Sequence, residues 1–412
     1  MPSQPAVPSQ PAGSPPPPLQ GIRVLDVSRY QAGPRAAMIL GDLGAEVIRA
    51  ENPEGERDGG FAGPTHEGYS IYYAVYNRGK KSIGLNRAKP EGLDLFRRLI
   101  PHVDVIVENF RPGYLARLGF SYEALRELNP GIILVSVSAY GQDGPYRDQT
   151  AFSNVALAAS GFMDVSGDPF SPLHQTGTSI ADRLAGVHGA AGALAALVGR
   201  ATTGQGRHVD VSLMDAALTM IEFPLATYLA TGRKPPSDVA GRRAGSSPNQ
   251  VFHAQDGMVL VNTPTQDQWN RLCGVMGRPE LIEDERFNTP LKRQEPAARD
   301  AIEALCEAWM ASQTVEGAYR ALVAADVPAA PVRPLDQVAD DPQLRHRRMI
   351  HEVRHPVTGL TLRLVGNPIK LSDLADEVGH PAYPGEHNGE IYGGWLGIDP
   401  GTIDDLARRR II

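Results

Sequence analysis

Asp182 stands near the start of GTSIADRLAGVHGAAGALAALVGR, residues 177–200, a stretch that otherwise reads as a buried apolar helix. A carboxylate with an ordinary pKa near 4 is ionised at neutral pH. It can attack an activated acyl group without a separate base. The neighbouring Ala181, Gly186 and Gly189 are small and are read as leaving room above the helix for a ligand. The acid also has a plain structural reading, because a carboxylate in a first helical turn meets the positive end of the helix dipole. On residue types alone both readings stay open.

Two other segments carry groups suited to a nucleotide-bearing ligand. SRYQAGPRAA, residues 28–37, occupies a first βα turn, where Gln31 and Gly33 suit close approach to a ligand at a helix N-terminus. VENFRPGYLARLGF, residues 107–120, follows a strand end and offers Asn109, Phe110, Arg111 and Arg117. A phenyl ring covers a purine face, and guanidinium grips phosphate in bidentate fashion. Arg87 and Lys89 in NRAKPEG add positive charge at the next strand end. The bland alternative is a set of solvated helix ends and a tight turn with a surface glutamine. No G-x-G-x-x-G, G-x-S-x-G or P-loop pattern occurs, so dinucleotide, serine-hydrolase and nucleotidase chemistry lack support. His174, His188 and His208 are scattered, and Glu386 and His387 in PGEHNGEIY fit either a surface or a partner chain.

The elements that must position these residues alternate. GIRVLDVS, EVIRAE, KKSIGLN, VDVIVENF and GIILVSVSAYG read as apolar strands. GPRAAMILGDLGA, PEGLDLFRRLIPH and SYEALRELN between them read as helices, with Pro90 in a first turn and Ser121 as an N-cap. Strand–helix–strand repetition predicts an α/β fold with a doubly wound, parallel, Rossmann-like sheet. GRKPPSDVAGRRAGSSPNQ is rich in Pro, Gly and Ser and reads as linker, followed by a strand at MVLVNT and helices through much of 266–325. The expected organisation is a Pro-rich disordered tail at 1–20, a large domain at 21–225, a smaller α+β domain at 226–340, and a segment at 341–412 returning to the first domain.

Hydrophobic residues make up 42% of the 412-residue chain and charged residues 21%, a globular balance with ample core. A net charge of −7 argues against a nucleic-acid partner. No apolar run reaches the roughly 20 residues of a bilayer span, so no membrane partner is expected. The two cysteines, Cys273 and Cys306, lack metal-site spacing and suit a reducing, cytoplasmic setting.

Taken in order, GIRVLDVSRYQAGPRAAMILGDLGAEVIRAE, VENFRPGYLARLGF, GTSIADRLAGVHGAAGALAAL and TGQGRHVDVSLMDAAL resemble the class III CoA-transferases, with NPIKLS and PGEHN adding support. The resemblance runs from about residue 20 to the C-terminus. It implies that Asp182 is the nucleophile, forming an aspartyl acyl anhydride and then an aspartyl-CoA thioester. It implies that Gln31 lies beside the thioester, that Asn109, Phe110 and Arg117 hold the adenine and phosphates of CoA, and that Tyr72 lies near the acyl group. It further implies an interlocked homodimer (pairing with a paralogous chain being the variant form), with acyl-CoA and a small carboxylic acid as substrates and no resident cofactor. The acid exchanged is not readable; oxalate, formate, carnitine-like acids, succinate and malate are all candidates.

Departures from the family pattern are specific. Ser246, Ser247 and Pro248 stand where the family has a glycine-rich flap, and Asn52 and Ala88 stand where it has basic residues near the CoA phosphates. The rival reading is an α-methylacyl-CoA racemase, which needs two bases. Phe152 occupies the place of the racemase histidine, and Ser153 that of an acid common in transferases, making both candidate pocket residues. A non-catalytic CoA-binding protein is the third reading; it requires Asp182 to be only a dipole partner.

Overall fold

Six short apolar strands build the central sheet: β1 (Arg23–Asp26), β2 (Glu46–Glu51), β3 (Lys81–Gly84), β4 (Val105–Glu108), β5 (Ile133–Ser138) and β6 (His208–Ser212). All neighbours pair in parallel, in the order β3-β2-β1-β4-β5-β6. The middle strands are buried almost throughout, as expected where helices cover both faces of a parallel sheet. The computed structural model describes residues 15–55, 63–166, 177–233, 247–372, 374 and 376–412. The Pro-rich tail at 1–20 therefore lies largely outside the described residues.

The helices form where the sequence signals them. Between β1 and β2 runs α1 (Ala32–Asp42), and α2 (Ile71–Asn77) precedes β3. Next come α3 (Pro90–Leu99), the single turn α4 (Tyr114–Arg117) and α5 (Tyr122–Leu128). Pro90 opens α3, and Ser121 Oγ caps α5 by accepting from the Ala124 N–H at 3.3 Å. After β5 the chain forms α6 (Ser153–Ala159) and α7 (Ile180–Thr203), then returns through β6 to α8 (Leu213–Leu218).

α7 explains its own composition. A Cβ on Gly186 would lie 2.8 Å from the Ala32 carbonyl oxygen of α1, and one on Gly192 would overlap the Val209 side chain of β6. Gly189 faces Ala36, Val135 and Val137. The small residues thus admit α1 and the sheet; the space expected above the helix for a ligand is filled by protein at Gly186 and Gly189. By length and mean hydropathy α7 and the segment Leu213–Thr231 both qualify as bilayer spans, against the expectation from apolar runs. α7 nevertheless spends its glycine face on packing within the domain.

The described residues up to Phe162, those at 177–220, and Pro342–Ile412 cluster as one unit; Ile221–Asp341 with 163–166 cluster as the other. The second unit begins slightly earlier than the expected position 226. It holds the antiparallel strands β7 (Asn249–Ala254), β8 (Gly257–Asn262) and β9 (Ala329–Pro331), packed with helices around Phe252, Trp269, Phe287 and Ile302. The C-terminal segment adds the hairpin β10 (Ile350–Arg354) and β11 (Thr361–Val365) to the first unit.

PGEHNGEIY, read as fitting either a surface or a partner chain, packs in part against the central sheet. The Ser82 N–H donates to His387 Nδ1 at 3.2 Å, and the Gly84 N–H donates to Asn388 Oδ1 at 2.9 Å. The segment covers the exposed edge of β3, the place where a sheet would otherwise offer unpaired backbone groups.

Candidate active site

In this strand order the chain leaves β1 toward β2 and β3 on one side, while β4, β5 and β6 lie on the other. The carboxyl ends of β1 and β4 therefore flank the switch point, where open α/β sheets bind ligands. A cleft of ≈ 540 Å³ lies there. Its walls come from the turn after β1 (Arg29, Tyr30, Gln31), the loop after β4 (Asn109, Phe110, Arg111), α4, and the start of α7.

The two loops are locked together. The Arg29 N–H donates to Asn109 Oδ1 at 2.6 Å, and Asn109 Nδ2 returns a hydrogen bond to the Arg29 carbonyl at 2.7 Å. Asn109 thus ties the lips of the crevice while lining it. Beneath the turn lies a buried ion cluster. Lys80 Nζ donates to Asp26 at 2.7 Å, to the Pro34 carbonyl at 2.8 Å and to Asn77 at 3.0 Å, while Arg49 reaches Asp26 at 3.5 Å. Burial favours a neutral Asp26, but Lys80 and Arg49 outweigh it and hold the carboxyl below its ordinary value. Burial in turn pushes the Lys80 ammonium down to about 8. At the end of β4, burial raises the Glu108 carboxyl to about 7, although it accepts from the Phe110 N–H at 2.7 Å.

Asp182 lies in the first turn of α7 and lines the cleft, the only carboxylate among the described residues that do so. Among those residues its carboxylate has no hydrogen-bond partner. Burial pushes it up to about 6, with Arg183 pulling weakly the other way. The ordinary value expected from the sequence is thus corrected upward: at neutral pH the group is ionised, yet poorly solvated.

Gln31 sits beside it, bridging the starts of α1 and α7. Its Nε2 donates to Ser179 Oγ at 3.2 Å, its Oε1 accepts from the Tyr76 hydroxyl at 2.8 Å, and it shares a hydrogen bond with the Tyr72 hydroxyl. Tyr72 lines the cleft next to it.

Phe110 and Arg117 also line the cleft. The Arg29 and Arg87 guanidinium carbons lie 5.6 and 5.2 Å from the Phe110 ring centre. Arg87 is otherwise buried, with a hydrogen bond to the Ala50 carbonyl at 3.4 Å, and supports that ring rather than lining the cleft. Lys89 is not brought in: its ammonium caps the Arg409 carbonyl at 2.8 Å and pairs with Glu54 at 3.2 Å. Phe152 lines the cleft, 59% exposed and edge-on to Tyr30. Ser153 lines it too, and its Oγ accepts from the Ala181 N–H at 3.1 Å, so capping α7 one residue before Asp182. Ser246 and His174 lie outside the described residues.

Two groups escaped the sequence reading. Arg147 lines the cleft beside Arg117; the nearest guanidinium nitrogens of the two lie 3.4 and 3.5 Å from the point where a Cβ on Gly113 would sit. Among the described residues neither has an ion-pair partner. Tyr30 also lines the cleft and holds φ at 58°, a left-handed conformation that side chains seldom adopt outside functional turns. Arg147 sits in a loop with no regular period, and φ is not written in residue types.

One cluster resembles a metal site. His355, His380 and Glu386 place ligand atoms within 4.8 Å of one another. However, His355 Nδ1 accepts from the Val357 and Thr358 N–H groups at 3.3 Å, so its proton sits on Nε2 and donates to Glu386 at 3.2 Å. A cation would have to displace that proton, and the donor set does not fit one.

With the geometry in place, comparison with known proteins is informative. Residues 19–388 match the model of CoA-transferase family III. The chain is similar to succinyl-CoA–D-citramalate CoA-transferase of Chloroflexus aurantiacus, 35% identical over 95% of this chain and 97% of that protein. It is 34% identical to formyl-CoA:oxalate CoA-transferase of Streptomyces avermitilis over 96% and 99% of the respective lengths. The crystal structure of a CAIB/BAIF family protein from Brucella suis superposes with a TM-score of 0.81 at 30% identity, covering 92% of this chain and 100% of that one.

Proposed function

The chain belongs to CoA-transferase family III and moves CoA between carboxylic acids, and we propose that it does so through covalent intermediates on Asp182. The observation that carries this reading is a poorly solvated carboxylate at a helix start, the only one among the described residues lining a cleft that also holds the guanidiniums of Arg117 and Arg147.

The cycle balances without an added proton, metal or redox group. An Asp182 oxygen attacks the thioester carbonyl carbon; the C–S bond breaks and CoA leaves as thiolate, giving a mixed anhydride. The thiolate attacks the Asp182 carbonyl carbon and expels the donor acid as its carboxylate, leaving an aspartyl-CoA thioester. The acceptor carboxylate attacks that thioester, releasing thiolate and forming a second anhydride. Thiolate attack on the acceptor carbonyl then yields the new acyl-CoA and regenerates Asp182. Partial desolvation strengthens the carboxylate as a nucleophile and keeps water from the intermediates. Gln31 positions the reacting groups, while Asn109, Phe110, Arg117 and Arg147 supply the ring face and cations suited to adenine and phosphate.

Racemisation requires a base on each face of the α-carbon. Phe152 offers none, and Asp182 is the sole carboxylate among the described residues lining the cleft. The reading includes a homodimer, interlocked as the family resemblance implies. Supporting it, the helix Glu222–Thr231 buries none of its residues, leaving Phe223 79% and Leu229 74% exposed. Two buried free cysteines agree with a reducing, cytoplasmic setting.

The test is chemical trapping. Incubation with an acyl-CoA donor followed by hydroxylamine should leave a hydroxamate on Asp182 alone, with negligible deuterium entering recovered acyl-CoA from heavy water. Rapid deuterium uptake with Asp182 unmodified would reverse the assignment in favour of the racemase. Acyl exchange surviving in Asp182→Ala would remove Asp182 from the mechanism.

A further inference from the structure

A second cavity of ≈ 520 Å³ lies at the carboxyl end of β2, within the roughly 300–1,000 Å³ of small-molecule sites. Tyr30 and Tyr72 line both this cavity and the cleft, so the two spaces are neighbours, bordered by the same side chains next to Gln31. Resting on the transferase reading above, we propose that this cavity receives the tail of the acyl group, and that the tail is uncharged and aryl or alkyl.

The reason lies in what its polar groups are already doing. Arg49 is bound to the Ser28 carbonyl, to Asp26 at 3.5 Å and to Glu51 at 3.6 Å. Glu51 accepts from Ser82 Oγ at 2.9 Å and from the Tyr73 hydroxyl. The Tyr69 hydroxyl donates to the Ala382 carbonyl at 2.8 Å, and the Tyr72 hydroxyl is engaged with Gln31. Asn77 is held by Lys80 at 3.0 Å and by the Tyr73 carbonyl at 3.1 Å, and Ser70 caps α2 by accepting from the Tyr73 N–H at 3.2 Å. The one cation among the described residues of the wall is thus neutralised by two carboxylates. A second carboxylate on the substrate would enter beside Glu51 without a free cation among the described residues to meet it, which is costly in a desolvated pocket.

What remains for a ligand is ring surface. Tyr69 meets Tyr383 and Tyr73 edge-on, with centroids 5.0 and 5.9 Å apart. Tyr72 adds a ring, and Pro53 and Pro384 complete the rim. Aromatic walls of this kind, with only the Asn52 amide and the Tyr383 hydroxyl left to donate among the described side chains, favour apolar and aryl groups by burial and by edge-to-face contact.

The experiment uses identity exchange, in which a deuterated acid enters its own unlabelled CoA ester; only one half of the cycle is needed, so no donor–acceptor pair need be known. Acetate, succinate and 3-phenylpropionate are compared, each with its CoA ester. The wild-type chain should exchange 3-phenylpropionate with kcat/KM at least about tenfold above the other two. A filling variant, Pro53→Trp, replaces the second residue of a turn closed by the Gly55 N–H on the Asn52 carbonyl at 2.9 Å, a place open to many residue types. It should lower 3-phenylpropionate exchange about tenfold and leave acetate within about twofold. Acetate or succinate exchanging as well as 3-phenylpropionate in the wild type overturns the proposal while leaving the transferase reading intact. An equal fall for all three esters in Pro53→Trp also overturns it, since the cavity would then hold part of CoA itself. No exchange with any acid overturns the transferase reading and this proposal together.

Discussion

Replacing Asp182 by Asn should abolish transfer and at the same time stabilise the protein, by an amount that depends on pH in a defined direction. The folded carboxyl titrates at about 6 and the unfolded one at 3.8. Between these values the native state holds a proton that the unfolded state has lost, so stability falls as pH rises through this window. The contribution of the protonated acid is fully present below about pH 4 and gone above about pH 6. At 1.36 kcal/mol per pH unit the gap corresponds to about 3 kcal/mol at most. Asp182 keeps some contact with water, and its place in a first helical turn returns about 0.3–1 kcal/mol of favourable charge–dipole energy that Asn forfeits. A net gain of about 1–2 kcal/mol for Asp182→Asn at pH 8 is therefore expected, shrinking to nothing or reversing near pH 4. Chemical denaturation of both chains across this range measures it, with intact mass confirming that the Asn has not deamidated. Equal stability at pH 8, or a gain that grows toward acid, would show that burial does not dominate the environment of Asp182.

Five further outcomes follow from the same geometry. The kcat/KM for acyl-CoA should rise with pH through about 6, because protonated Asp182 is not a nucleophile; a flat profile between pH 5 and 8 would contradict this. Arg117→Ala should raise KM for acyl-CoA about tenfold with kcat changed less than about twofold, since a remote phosphate is held alike in ground and transition states; an unchanged KM would make Arg117 a solvated charge. Lys80→Met strips Asp26 of its closest counter-charge at 2.7 Å and should cost about 3–5 kcal/mol by denaturation; a loss under about 1 kcal/mol would mean Arg49 suffices alone. Gly192→Val, driven into Val209, should destabilise by about 1–3 kcal/mol. Gly274→Ala, with no atom within 4 Å of the added methyl, should instead stabilise by about 0.5–1 kcal/mol.

By itself the sequence determined the parallel α/β sheet and the candidate nucleophile. Strands such as EVIRAE and helices such as PEGLDLFRRLIPH carry their period, cap and breaker locally, and the observed β2 and α3 follow them closely. An acid in an apolar helix is likewise a local anomaly, visible without coordinates. Tertiary structure decided the rest, for the reason that environment is a property of neighbours distant in sequence. Asp182 is lifted to about 6 by burial that its own helix does not supply. The glycines of α7, read as space for a ligand, are contact points for α1 and β6. Lys89 and Ser153 have residue types suited to a substrate, but each is bound by protein, Lys89 through the Arg409 carbonyl and Ser153 through the Ala181 N–H. Arg147 has no local signature at all, and only the fold brings it beside Arg117 over Gly113. The tyrosine-walled cavity beside the cleft is of the same kind: its lining comes from stretches of chain far apart in sequence, around Tyr30, Glu51, Tyr72 and Tyr383, and only the fold, by pairing Arg49 with Asp26 and Glu51, leaves mainly ring surface for a ligand.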